Sequence, residues 1–210
     1  MPLYKLSDKK AEPIKENPFK VEREIQEIVE GNMGSLFGLQ LVRGEFAVGG
    51  LRIDTLAFDE EGRSFALIEN KRDRNFSVVD QGMSYLGLML NNKAEFILEY
   101  NEQCGAALKR DDVDWSQSKV MFIAPSFTTY QLEAINFKDL PIELWEVHRF
   151  ANNTVRFDEH KRTQAVASIN TVSKKSAVVD KISKEVRTYT EDDELEYIVS
   201  LVRQSYKVNA

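Results

Sequence analysis

The sequence predicts an α/β protein whose central β-sheet is covered by helices on both faces. The first observation is a hairpin pattern over residues 51–71, in which turn residues at 59–62 join two apolar runs. Both runs carry apolar side chains on both faces, which is typical of central strands between two helical layers. The second observation is helical periodicity before and after this hairpin, which supplies the two layers.

The elements before the hairpin follow from spacing and turn residues. Residues 1–18 are polar and rich in proline, so we expect a loosely held arm. Apolar residues at helical spacing predict a helix over 19–30 that ends at Gly31. Residues 37–48 are expected to be extended, and Gly49–Gly50 supplies a tight turn into the hairpin.

The elements after the hairpin are one capped helix, then further strands and a short helix. Ser77 is a suitable N-cap for a helix that runs to Leu90, with Asp80 at its third position. The remaining predictions are strands over 95–100, 120–124, 142–148 and 154–157 and a helix over 128–137.

Composition divides the 210 residues into four segments, enough for one core and an appendage. The arm, 1–18, precedes the α/β domain over 19–158. Residues 159–188 are rich in Lys, Arg, Ser and Thr and have few aromatics, which indicates a linker. Residues 189–210 predict an amphipathic helix that either docks on the core or begins a second domain.

Composition also excludes several classes of site. No apolar run reaches the roughly 20 residues of a membrane helix, so no membrane partner is expected. Cys104 is the sole cysteine, which excludes an internal disulfide and fits a cytoplasmic protein. Two histidines are too few for a histidine-rich metal site. The net charge of -6 means that a nucleic-acid partner requires a local basic patch.

Three charged residues interrupt the apolar hairpin. Pairing Phe58 with Phe65 sets a register in which Asp54 faces Glu69. Two carboxylates directly opposite each other repel, and a divalent cation is the simplest compensation. Lys71 shares the face of Glu69, about 7 Å along the strand. Two acids and a lysine on one face are the arrangement for metal-assisted phosphodiester hydrolysis.

A local salt-bridge cluster is the alternative explanation of these charges. In that case Glu69 pairs with Arg52 or Lys71, and Asp54 pairs with Arg72. An acid-x-lysine pattern alone produces many false matches. Asp54 at the matching position on the other strand favours the metal site.

The flanking helices offer further polar residues. Gln81 and Tyr85 are four apart and therefore share a helix face, although a surface glutamine and a core tyrosine would have the same spacing. Glu22 lies at the edge of the apolar stripe of the first helix, where it either points at the site or marks an amphipathic boundary. Glu30 is expected on a solvated face.

Taken in order, these residues resemble the PD-(D/E)xK nuclease superfamily. Within the superfamily, the chain is most similar to the branch that includes RecB-like nucleases and the archaeal mismatch endonuclease. Its motifs also resemble those of an uncharacterised prokaryotic family with this nuclease-like domain. The motifs that carry the resemblance are Glu22, Gly50-Leu-Arg-Ile-Asp54, Ile68-Glu-Asn-Lys71 and Gln81 with Tyr85. The resemblance covers roughly residues 19–157. It implies a restriction-endonuclease-like core, with a central mixed β-sheet flanked by helices on both faces.

The chain departs from the superfamily pattern at two positions. Ile53 stands where the superfamily has proline, which has little chemical consequence. Asn70 stands where a larger apolar residue is usual, and its side chain is expected on the face away from the metal site.

The resemblance also implies a role for each motif residue. Asp54, Glu69 and the backbone carbonyl of Asn70 would bind Mg²⁺ or Mn²⁺. Lys71 would orient the attacking water or stabilise charge that develops on the phosphate.

The remaining roles belong to the helices and the arginines. Gln81 would position the water, the lysine or a phosphate oxygen, Tyr85 would support it, and Glu22 would hold a second metal or its waters. Three basic residues near the site would contact the nucleic-acid backbone: Arg52, Arg72 and Arg74. The alternative is that these arginines pair with nearby acids.

The expected function is therefore that of a metal-dependent DNA endonuclease, a Mg²⁺- or Mn²⁺-dependent deoxyribonuclease. The alternative is a catalytically silent nuclease-like module that binds nucleic acid or another partner. DNA is the expected substrate, RNA stays open, and a homodimer is compatible with the sequence.

Overall fold

The computed structural model describes residues 2–73, 77–136 and 140–161, all of which belong to one compact unit, Met1–Val166. Most of the predicted linker and the predicted C-terminal helix lie outside the described residues. The helices are α1 (Glu22–Gly31), α2 (Met33–Phe37), α3 (Val78–Asn91), α4 (Lys93–Cys104) and α5 (Thr129–Ala134). The strands are β1 (Leu3–Ser7), β2 (Lys10–Ile14), β3 (Gln40–Val48), β4 (Leu51–Asp59), β5 (Ser64–Asn70), β6 (Lys119–Ala124), β7 (Ile142–Arg149) and β8 (Val155–Glu159). None of the described helices is long and apolar enough to cross a membrane.

The main sheet is mixed and has the strand order β3-β4-β5-β6-β7-β8. Strand β6 runs parallel to both β5 and β7, whereas the other neighbours pair antiparallel. The carboxyl ends of β5, β6 and β7 therefore meet at one edge of the sheet. Glu69 and Asn70 are the last residues of β5 and lie at that edge.

Helices cover both faces of this sheet, as the sequence predicts. Helices α3 and α4 pack on one face against a core cluster that includes Phe65 and Leu67. Helix α1 packs on the other face against a second cluster that includes Ala66 and Ile68. Every residue of β5 is buried, because this strand lies between both layers.

The predicted strand over residues 95–100 is wrong, because this segment is part of α4. Phe96 and Tyr100 are four apart and both are buried against the sheet, whereas Leu98 between them is 58% exposed. That pattern has the helical period and not the strand period. A short apolar run does not by itself distinguish a strand from a helix.

The N-terminal arm contains a hairpin that the sequence analysis did not predict. Strands β1 and β2 pair antiparallel, and Asp8 and Lys9 form the turn between them with positive φ angles. After the hairpin, the Lys15 carbonyl accepts a hydrogen bond from the Ala151 N–H at 2.9 Å. The arm is therefore tied to the end of β7 by its backbone.

Candidate active site

Strand β4 is irregular at Asp54. Within the described sheet, neither the register with β3 nor the register with β5 gives Asp54 a partner. The predicted pairing of Phe58 with Phe65 is confirmed. The β4–β5 ladder includes Thr55 but not Asp54, the residue that precedes it in the chain. A regular register would pair Asp54 with Glu69, but the described ladder does not contain this pair.

The same irregularity changes the face on which Ile53 packs. Regular alternation places Ile53 with Ala57 and away from Leu56. In the structure Ile53 shares a core cluster with Leu56, while Ala57 belongs to the opposite cluster. The expectation from regular alternation is therefore wrong at Ile53, because strand alternation breaks at Asp54. On the neighbouring strand, Glu45 has a φ of 56°, in the left-handed region.

Helix α1 holds this irregular segment through two side chains that the sequence analysis missed. Gln26 Nε2 donates hydrogen bonds to the Asp54 carbonyl at 3.0 Å and to Glu30 Oε1 at 2.9 Å. Thr55 Oγ1 donates to the same Glu30 oxygen at 2.8 Å. The expectation that Glu30 is solvated is therefore wrong. The available signal was that Gln26 and Glu30 are four apart and follow the apolar residues Ile25 and Val29.

The Asp54 carboxylate lies against the backbone of β5. The Asn70 N–H donates a hydrogen bond of 2.8 Å to Asp54 Oδ2. Burial and the negative charge of Glu69 raise the pKa of Asp54 to about 6. The two carboxylates are therefore close enough to repel each other, although they do not pair in the ladder.

Glu69 is the centre of a hydrogen-bond network, and its side chain is only 6% exposed. Its Oε1 accepts hydrogen bonds from Lys71 Nζ at 2.6 Å and from Gln81 Nε2 at 2.7 Å. The Tyr85 hydroxyl lies 2.9 Å from its Oε2. The structure thus brings Glu69, Lys71, Gln81 and Tyr85 together. The Glu69–Lys71 pair of the salt-bridge alternative is also present.

Helix α3 supplies Gln81 and Tyr85 from a fixed position. The Ser77 hydroxyl caps the helix and accepts a hydrogen bond from the Asp80 N–H at 3.3 Å, as predicted. Gly82 lets the helix approach the sheet closely, because a Cβ there would lie 2.4 Å from Ile142. Burial raises the pKa of Tyr85, so its hydroxyl stays protonated and can donate to a carboxylate.

Glu22 lies beside the chain that follows β5. Its Oε1 accepts a hydrogen bond of 3.1 Å from the Arg72 N–H. The Arg52 guanidinium lies 2.9 Å from Glu45, and the Arg72 guanidinium lies 2.8 Å from Asp73. Ion pairing with nearby acids, the alternative for these arginines, is therefore present. Arg74 lies outside the described residues.

The oxygen donors of this site suit a hard divalent cation. Within the described residues no three His, Cys, Asp or Glu side chains are arranged to hold a metal ion. Mg²⁺ requires less, since one or two carboxylates with several waters commonly hold it. Asp54, Glu69 and the Asn70 carbonyl are consistent with that smaller set. Burial and the negative charge of Glu69 both raise the pKa of Asp54, and a bound cation would offset both effects.

No protein-family model matches this chain. An uncharacterised protein of Haemophilus influenzae is 47% identical over 194 residues, which make up 92% of this chain and 64% of that protein. The chain therefore spans somewhat less than two thirds of that relative's length.

Three solved structures are similar to part of the chain. An EndoMS–dsDNA complex has a TM-score of 0.35 at 17% identity and matches 63% of this chain and 47% of its own. A repair endonuclease from Pyrococcus abyssi has a TM-score of 0.34 at 15% identity, over 63% and 50% of the two chains. Pyrococcus furiosus SfsA in complex with Ca²⁺ has a TM-score of 0.32 at 15% identity, over 75% and 74%. Because these scores are low, the functional assignment rests on the residues of the site.

Proposed function

We propose that this protein is a divalent-cation-dependent endonuclease that hydrolyses phosphodiester bonds of DNA. Its nuclease-like domain would be residues 19–158, with a restriction-endonuclease-like core. The observation that carries the proposal is the charge arrangement at the end of β5. Burial and the negative charge of Glu69 raise the pKa of Asp54 there, and the Lys71 ammonium lies 2.6 Å from Glu69.

Asp54, Glu69 and the Asn70 carbonyl would hold Mg²⁺ or Mn²⁺. When bound, such a cation polarises the phosphate and lowers the pKa of a water ligand. The burial of Asp54 and Glu69 favours a role in cation binding. Two buried carboxylates are unfavourable unless positive charge or hydrogen bonds compensate them.

The other polar residues would orient the reacting groups. Lys71 is positioned to orient the attacking water or to stabilise negative charge on the phosphate. Gln81 and Tyr85 fix the Glu69 carboxylate from α3, which leaves that acid one orientation. Glu22, beside the Arg72 backbone, would bind waters or a second cation at the open side of the site.

DNA would bind through exposed arginines that now pair with acids. The side chains of Arg52 and Arg72 are 71% and 49% exposed, so their ion pairs with Glu45 and Asp73 are weak. Phosphate groups would replace these acids with little loss. A local contact of this kind is compatible with a net charge of -6.

Cleavage of supercoiled plasmid with and without Mg²⁺ or Mn²⁺ tests the proposal. We expect cation-dependent nicking by the wild type and its loss in Asp54→Ala and Glu69→Ala. Glu27→Ala on the exposed side of α1 is the matched control and should leave nicking unchanged, because Glu27 pairs only with the exposed Arg23 among the described contacts. Equal nicking by the Asp54→Ala and Glu69→Ala variants would refute this site.

A nuclease-like module that binds nucleic acid without cleaving it is the second candidate. The observation that favours it is that Glu69 already accepts hydrogen bonds from Lys71, Gln81 and Tyr85. Gel-shift binding to DNA or RNA, with no cleavage in any divalent cation, would support this candidate over the first.

A further inference from the structure

Asn70 contacts the site through its backbone, and its side chain is buried. Its N–H donates to Asp54 Oδ2. The residue is 0% exposed. Within the described residues, neither the nitrogen nor the oxygen of its side-chain amide has a hydrogen-bond partner.

An unpartnered amide at such a position is unfavourable. Buried polar groups nearly always have partners, and each exception needs an explanation. Asn70 follows Glu69 on β5, so its side chain lies on the opposite face of the sheet, the face covered by α1. An apolar residue of similar size would fit this layer without the cost of an unsatisfied amide.

A carboxylate held by the same residue explains why an amide is useful here. The Asn70 N–H lies 2.8 Å from Asp54 Oδ2, so the side-chain amide of Asn70 is near this carboxylate. Within the described residues the amide forms no hydrogen bond, so it is available to the carboxylate or to a water between them.

We infer that the Asn70 side chain is a positioning residue for Asp54, whose carboxylate it orients for cation binding, directly or through a buried water. This inference rests on the proposed function, because it assigns Asp54 to a cation site. The backbone N–H of Asn70 fixes one carboxylate oxygen, and the amide biases the second. Buried waters commonly bridge such groups.

The test measures Mn²⁺ affinity by calorimetry and the melting temperature without cation. Asn70→Leu removes the unsatisfied amide at similar volume, so we expect its melting temperature to rise by about 2–6 °C. Its Mn²⁺ affinity should fall about 10- to 100-fold, the usual effect of losing a group that orients a metal ligand. A role in packing alone would not move these two measurements in opposite directions.

Asn70→Ala is the second variant. It leaves a cavity, so its melting temperature should fall, but its Mn²⁺ affinity should drop as in Asn70→Leu. Trp115→Phe is the matched control and should bind Mn²⁺ as the wild type does. The Trp115 indole N–H is also buried and has no partner among the described residues.

Three outcomes are distinguishable. Weaker Mn²⁺ binding by both Asn70 variants, with an unchanged control, supports the inference. A wild type that binds Mn²⁺ and cleaves DNA, with Asn70 variants within twofold of its affinity, overturns the inference and leaves the proposed function standing. A wild type that neither binds Mn²⁺ nor cleaves DNA overturns both.

Discussion

The Gln26 amide on α1 donates a hydrogen bond of 3.0 Å to the backbone carbonyl of Asp54. This contact joins the first helix to the point at which β4 leaves its regular pairing. The displaced backbone lets the Asp54 carboxylate reach the Asn70 N–H on the neighbouring strand. The geometry of the acid pair therefore depends on α1 as well as on the hairpin.

Gly44→Ala should disturb this link. A Cβ at Gly44 would lie 2.6 Å from Glu30 Oε1, the oxygen that also accepts from Gln26 and Thr55. We expect about 1–3 kcal/mol of destabilisation, by analogy with overpacking in cores, and weaker Mn²⁺ binding. Chemical denaturation and calorimetry measure these two effects.

Gly87→Ala is the matched control for that substitution. Gly87 lies in α3, and its added Cβ would meet no atom of the described residues within 4 Å. The control should gain up to about 1 kcal/mol from helix propensity and bind Mn²⁺ normally. Normal Mn²⁺ binding by Gly44→Ala would contradict the proposed link from α1 to Asp54.

Asp54→Asn should stabilise the cation-free protein at pH 7.5. The folded pKa of Asp54 is raised to about 6 from 3.8, so the folded state binds the proton more tightly than the unfolded state. The free energy of unfolding therefore falls as pH rises from about 4 to 6, and it stays lower above pH 6. We expect a gain of about 1–2 kcal/mol for the variant, after allowing for solvent screening of this partly exposed group.

Thermal melts of wild type and Asp54→Asn across pH 4.5–7.5 measure this effect. The stability advantage of the variant should shrink as pH falls, because the wild-type carboxyl then becomes neutral too. Added Mn²⁺ should stabilise the wild type at pH 7.5 and not at pH 4.5, since the proton competes with the cation. A variant that is less stable than the wild type at pH 7.5 would contradict the predicted repulsion.

Lys71→Met should separate cation binding from cleavage. The ammonium lies 2.6 Å from Glu69 Oε1, where it competes with a cation for that oxygen. We expect equal or tighter Mn²⁺ binding and a loss of about 10²–10³ in the cleavage rate, the usual size of a lost charge-stabilising group. Lys119→Met on β6 breaks a comparable pair with Glu143 on β7 and should change neither quantity. Cleavage by Lys71→Met at the wild-type rate would contradict the proposed role of Lys71.

Arg52→Ala and Arg72→Ala should weaken DNA binding without changing Mn²⁺ binding. Each lost phosphate contact should reduce the slope of log affinity against log salt by about 1. Arg43→Ala is the control, since Arg43 pairs with Glu99 of α4, and it should keep the wild-type slope. Fluorescence anisotropy at several salt concentrations gives these slopes. Unchanged slopes for Arg52→Ala and Arg72→Ala would place the DNA interface elsewhere.

Local patterns were sufficient to predict most of the hairpin and α3. Apolar alternation and turn residues predicted the pairing of Phe58 with Phe65, and Ser77 predicted the start of α3. The family resemblance placed Gln81 at the site, but it did not predict the hydrogen bond that Gln81 donates to Glu69.

The errors lie where tertiary contacts override a local pattern. The apolar residues in segment 95–100 have no distinctive spacing in the sequence. The segment is helical, and the helix buries Phe96 against the sheet. Regular alternation placed Ile53 on the wrong face, because the helix residue Gln26 holds the Asp54 backbone. Such a contact between distant parts of the chain has no signal in the spacing of β4 itself.

The most direct test of the central claim is a crystal structure with Mn²⁺ and its anomalous difference map. We expect one peak bound by carboxylate oxygens of both Asp54 and Glu69, with the Lys71 ammonium displaced from Glu69. No peak at these acids at millimolar Mn²⁺, with the pair between Lys71 and Glu69 intact, would contradict the claim that this is a cation site.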